Sequence, residues 1–69
     1  MEIKTYTKKE LALMYSPYAT PAVASNKLAR WIKRCLPLFK ELQACHYHVS
    51  DKTLTPKQVA LIVQYLGEP

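Results

Sequence analysis

Thr20-Pro21-Ala22-Val23-Ala24-Ser25-Asn26-Lys27-Leu28-Ala29-Arg30-Trp31-Ile32-Lys33-Arg34-Cys35 is the stretch on which the fold turns. Threonine followed by proline opens a helix. The threonine oxygen accepts from an N–H of the first turn, and proline at the first helical position lacks only an N–H that has no intrahelical partner. Ala24, Leu28, Trp31, Ile32 and Cys35 recur at helical spacing, which predicts a buried stripe with Trp31 as its anchor. Val23, Asn26, Lys27, Arg30, Lys33 and Arg34 fall on the opposite side. Pro37 ends this helix near Cys35.

Upstream, Thr7-Lys8-Lys9-Glu10 is a capping box, with Tyr6 and Leu11 at the hydrophobic-staple positions around it. It starts a helix reaching about Tyr15, on which Leu11, Met14 and Tyr15 share one face. Ser16-Pro17-Tyr18-Ala19 makes the short link to Thr20. Downstream, a third helix from about Pro37 to Cys45 buries Leu38, Phe39, Leu42 and Cys45 and turns Lys40 and Glu41 to water. His46 to Thr53 has β-branched and aromatic residues around the turn signal Ser50-Asp51-Lys52, so it forms either a small hairpin or a strand pairing with Ile3 to Tyr6. Thr55-Pro56-Lys57-Gln58 is a second capping box, with Leu54 and Val59 as its staple. Val59, Ile62, Val63 and Leu66 form the core face of the last helix. Gly67 suits the left-handed position after it, and Pro69 follows. The fold class expected is mainly α: one small domain, residues 1–69, of about four helices in a winged helix–turn–helix-like arrangement with a short hairpin or strand pair.

A chain of 69 residues with 49% hydrophobic content has enough apolar material for one small core. Its single glycine argues against a fold rich in hairpins or loops. No apolar run is long enough to span a bilayer, and Met1-Glu2-Ile3-Lys4-Thr5-Tyr6 lacks the apolar core of a signal peptide. A cytoplasmic protein with no membrane contact is expected, with Cys35 and Cys45 reduced.

The formal net charge of +5 is a local property. Leu11 to Lys40 contains Lys27, Arg30, Lys33, Arg34 and Lys40 and no acidic residue, whereas the cations and acids outside it cancel. Lys27, Arg30 and Arg34 stack on one helix face, flanked by Lys33. Phosphate binding requires several cations within reach of successive phosphates. Ser25 and Asn26 lie earlier on the same helix, where short polar side chains can reach base edges. The preceding helix and short link give a helix–turn–helix order. The pattern therefore points to a non-enzymatic protein that binds double-stranded DNA or associates with it through the helix over residues 21–35. The same cations also suit a solvated helix face or an acidic protein partner. Leu61 and Tyr65, four residues apart and opposite the core stripe of the last helix, offer a homodimer or partner surface unless another helix covers them.

Cys35, Cys45, His46 and His48 are of zinc-ligand type, but they lack the paired spacing of a structural zinc site, and both cysteines fall on apolar faces. No metal or other cofactor is expected. No oxyanion loop accompanies the Cys–His group, Gly67 alone cradles no nucleotide, and no two carboxylates are paired in sequence, so no catalytic site is expected. A base-stacking role for Trp31 would require it to be exposed; Tyr18, in the turn, is the better exposed aromatic.

The capped start Thr5 to Tyr15, the Pro17-Tyr18-Ala19-Thr20-Pro21 turn, Arg30-Trp31-Ile32, Leu54-Thr55-Pro56-Lys57-Gln58-Val59 and Leu66-Gly67-Glu68-Pro69 together resemble an uncharacterised gut-bacterial family of short proteins, domain of unknown function 4248. That resemblance covers essentially the whole chain and implies no activity, cofactor or site residue. Thr7–Ala12, Tyr47 and Thr55–Ile62 are also similar to winged-helix regulators of the MerR and excisionase type. In those, a tyrosine-containing wing precedes a threonine-capped helix. This chain departs from them in lacking a glycine in the turn and in carrying His48 after Tyr47, where a phosphate-binding arginine is usual.

Overall fold

A computed structural model describes residues 2–48 and 50–69. Met1, at the start of the opening stretch, and Val49, within the expected wing segment, lie outside the described residues. The element order is β1 (Tyr6–Thr7), α1 (Lys8–Tyr15), α2 (Pro21–Arg34), α3 (Leu36–Ala44), β2 (Thr53–Leu54) and α4 (Pro56–Leu66). This is a mainly α fold of four helices with a two-stranded antiparallel sheet.

Both capping boxes form. At α1, Glu10 N–H donates to Thr7 Oγ1 (3.0 Å) and Thr7 N–H donates to Glu10 Oε1 (2.9 Å). At α4, Gln58 N–H donates to Thr55 Oγ1 (3.2 Å) and Thr55 N–H donates to Gln58 Oε1 (3.0 Å). The bond from Thr7 N–H, and then the Thr7 side chain, hold the Glu10 carboxyl below its ordinary range. Thr20 caps α2 by accepting from Val23 N–H at 3.3 Å.

The strand pair joins the two capped helices. Of the two expected alternatives, the segment before Thr55 pairs with the N-terminus, but further along than Ile3 to Tyr6. Tyr6 faces Leu54 and Thr7 faces Thr53, and Lys8 N–H extends the ladder to Lys52 C=O at 2.9 Å. The reason lies in the staples. Tyr6 and Leu54 are the apolar residues preceding the two caps, and both are buried. Pairing them sets both helix starts against one core, and it leaves Ile3 exposed.

α1 packs most extensively on α2, α3 bridges α2 and α4, and α4 lies against β2. Leu11, Leu38, Leu42, Leu54, Val59 and Ile62 form the fully buried centre. On α1 the buried pair is Leu11 and Ala12, whereas Met14, expected on the core face, is exposed. Ala12, like Ala24 on α2, is small enough to be enclosed completely.

The end of α3 is a Schellman turn. Tyr47 N–H donates to Leu42 C=O (2.9 Å) and His46 N–H donates to Gln43 C=O (3.1 Å), with Tyr47 and Leu42 both buried in the core. His46 takes the left-handed position at φ 62, where glycine is usual. The turn closes by docking the Tyr47 side chain into the core. At the end of α4, Gly67 has φ 85 with an extended ψ of 169 and donates its N–H to Val63 C=O. Its positive φ matches the expected glycine role, although ψ lies outside the left-handed helical region.

Candidate nucleic-acid interface

α2 carries the charge. Lys27, Arg30, Lys33 and Arg34 are all exposed, and none forms an ion pair among the described residues. No acidic side chain occurs on the helix. Two of the cations have a local rationale, because Lys33 and Arg34 occupy the last turn, where the helix dipole favours positive charge. Lys27 and Arg30 do not share it. Lys27 and Arg30, Arg30 and Lys33, and Arg30 and Arg34 stand three or four residues apart, so each pair is a like-charge neighbour on the helix surface.

Trp31 departs from its expected place. Ala24, Leu28 and Ile32 are buried as the stripe requires and Cys35 is half-buried, but Trp31 is 37% exposed. Successive helical residues are rotated by about 100°, which puts Trp31 on the border between the stripe centred on Leu28 and the cationic face. A side chain as large as indole reaches out of the groove from that border. Its ring meets Tyr15 edge-on, with centroids 6.1 Å apart and planes at 79°. The Tyr15 hydroxyl in turn donates to the Gly67 carbonyl, and burial pushes its pKa up. Trp31 is thus braced by α1 and the C-terminal turn, while Lys27, Arg30 and Arg34 surround its outer side in an open hollow.

A second open hollow adjoins the first through Lys27. Tyr15, Pro17, Tyr18, Val23 and Lys27 contribute to it. Tyr18, at 102% exposure, touches almost nothing, as expected for the turn aromatic. Val23 is also exposed on this side.

Ser25 and Asn26, expected beside the basic face, line a different hollow together with Lys8, Leu28, Tyr47 and Leu54. Ser25 is half-buried, and its Oγ is shut off from solvent with no hydrogen-bond partner among the described residues. Its hydroxyl is thus turned into the fold, whereas the four cations of α2 are exposed. Asn26 remains exposed at the edge between the two sides. Lys8 closes the far side of this hollow. Its Nζ donates to His48 C=O at 2.9 Å and lies 4.5 Å from the Tyr47 ring centroid. Burial lowers its pKa, opposed by the charge of Asp51.

The Leu61–Tyr65 surface is also altered. Leu61 is half-buried and packs against the core. Tyr65 is partly exposed, and a hydrogen bond with the Glu41 side chain, then burial, raise its pKa. Glu41 of α3 thus engages the Tyr65 end of this pair, while Leu61 packs on the core. Cys35 and Cys45 are free thiols at opposite ends of α3, about 15 Å apart along the axis and too far for a disulfide. Among the described residues no three of His, Cys, Asp and Glu gather in a metal-binding group, and no helix is long and apolar enough to cross a membrane.

Gln58 is the residue that sequence reasoning placed only in part. Its cap role was legible; its burial at 3% and the bond from its Nε2 to Cys45 C=O (3.0 Å) tie the start of α4 to the end of α3.

No curated protein and no solved structure matches the chain. A family model described as Domain of unknown function (DUF4248) matches residues 2–69, and the chain belongs to that family.

Proposed function

We propose that the protein is a non-enzymatic DNA-binding or DNA-associated protein, with α2 as its contact element. The observation that carries this reading is the run of four exposed cations, Lys27, Arg30, Lys33 and Arg34, on a helix without a single acid. Such a face repels itself, and neutralising phosphates relieves that repulsion while releasing counterions. The order of α1, a short turn and α2 resembles a helix–turn–helix, in which the second helix approaches the nucleic acid. Asn26, exposed beside Lys27, is the polar side chain best set to reach a base edge.

The test is fluorescence anisotropy with a labelled mixed-sequence duplex across a range of salt. Contact with about four phosphates gives a log–log slope near −4. Absence of binding at low ionic strength overturns the proposal.

A further inference from the structure

We infer that the basic face of α2 takes DNA through unpaired bases, which stack on Trp31 and Tyr18 on either side of Lys27; this rests on the DNA-binding reading above. Four observations converge on it. Trp31 is exposed although it borders the core stripe. Its ring is held by Tyr15, which is itself anchored to Gly67, so the platform is oriented before any ligand arrives. Three cations, Lys27, Arg30 and Arg34, share its hollow. Tyr18 stands fully in solvent in the neighbouring hollow, and Lys27 lines both.

The two side-chain chemistries divide the work. A nucleic acid strand presents phosphates and flat π-faces in alternation, and an aromatic interleaved with cations meets both. In a duplex the π-faces are already stacked on one another, so a helix resting on phosphates leaves Trp31 and Tyr18 idle. An unpaired strand frees those faces, and stacking is tolerant of sequence because every base has one. From Lys27 to Arg34 the helix advances about 10 Å, so the surface fits a few nucleotides and not a long tract. Exposure also has a cost that stacking would remove: in the free protein Tyr18 lies wholly in water, as does about a third of Trp31.

Trp31 is the one tryptophan in the chain, so its emission reports on this site alone. The experiment titrates the full chain with a short single-stranded DNA, with an abasic strand of equal phosphate count, and with a duplex, reading both Trp31 fluorescence and anisotropy of the labelled DNA. The expected result is quenching by the base-containing strand, which binds about tenfold or more tighter than the abasic one. Tyr18→Ala, at a side chain without packing partners, is expected to weaken the base-containing strand about fivefold or more and to leave the abasic strand unaffected. Equal binding of both strands with unchanged Trp31 emission overturns stacking and leaves phosphate contact standing. Failure of all three DNAs to bind at low ionic strength overturns the underlying reading, and this inference with it.

Discussion

Replacing Arg30 and Arg34 together by glutamine should move binding and stability in different directions. Both side chains are exposed and line the Trp31 hollow. Glutamine keeps nearly the helix propensity of arginine, so the helix itself is not penalised. With four phosphates neutralised, the wild-type slope is about −3.6, and raising salt from about 50 to 200 mM weakens binding about 150-fold. With only Lys27 and Lys33 left, the slope falls to about −1.8 and the same change weakens binding about 12-fold. Stability behaves otherwise. The double change removes three like-charge pairs around Arg30, worth a few tenths of a kcal/mol each. It also removes the favourable position of Arg34 in the last turn, worth about 0.5 kcal/mol. The net effect is a stability within about 0.5 kcal/mol of wild type, on the stable side. Anisotropy at several salt concentrations gives the slopes, and urea unfolding followed by circular dichroism gives the stability. A double variant that retains the wild-type slope refutes the assignment of these arginines to phosphates. A variant that loses affinity along with helix content refutes the separation of the binding face from the core.

Three further outcomes follow from the fold. Gln58→Ala removes a capping-box partner of Thr55 and the donor to Cys45 C=O from a site that is 3% exposed, and should cost about 2–3 kcal/mol in urea unfolding; a loss under about 0.5 kcal/mol would show that water replaces the side chain without penalty. His46→Gly relieves the left-handed φ of 62 and should raise stability by about 0.5–1 kcal/mol, read as a higher urea midpoint at unchanged m-value; a lower midpoint counts against the Schellman assignment. Tyr15→Phe tests the brace under Trp31. The folded pKa of Tyr15 is raised, so its contribution is fully present below the ordinary tyrosine value near 10 and is lost as pH rises through the folded value. The variant should lower stability by about 1 kcal/mol at neutral pH and lose less than wild type between neutral and strongly alkaline pH. Tyr47 and Tyr65, also raised, keep part of that alkaline loss. An alkaline limb identical to wild type would show that the Tyr15 hydroxyl carries none of it.

Local chemistry was the legible part of this chain. Thr7, Thr20 and Thr55 each begin a helix where the sequence places one, because a cap is settled by side chains three residues apart. The end of α3 was less open to such reading. A Schellman turn is recognised by its glycine, and here His46 stands in that position. The remaining signal was the apolar pair Leu42 and Tyr47, five residues apart, which reads equally well as a helix followed by a strand. Register of the sheet was hidden for a related reason: it depends on Tyr6 and Leu54 meeting across nearly fifty residues, a contact no local rule supplies.

The errors at the site share one cause, which bears on how the surface works. Periodicity assigns a residue to a face by angle alone, whereas burial depends on angle and size together. Ala12 and Ala24 are small enough to be wholly buried, and Met14 and Trp31, expected on core faces, remain partly outside. Indole, at the edge of the same stripe, is too large to be enclosed with Ala24, Leu28 and Ile32. The ring is therefore displaced toward the side where Lys27, Arg30 and Arg34 already stand. The same stripe that packs α2 into the core thus sets an aromatic plane among cations at its edge, and Tyr15 fixes its orientation. A substitution that enlarges Ala12 or Ala24 would disturb this surface from within, while leaving Trp31, Lys27, Arg30 and Arg34 themselves unchanged.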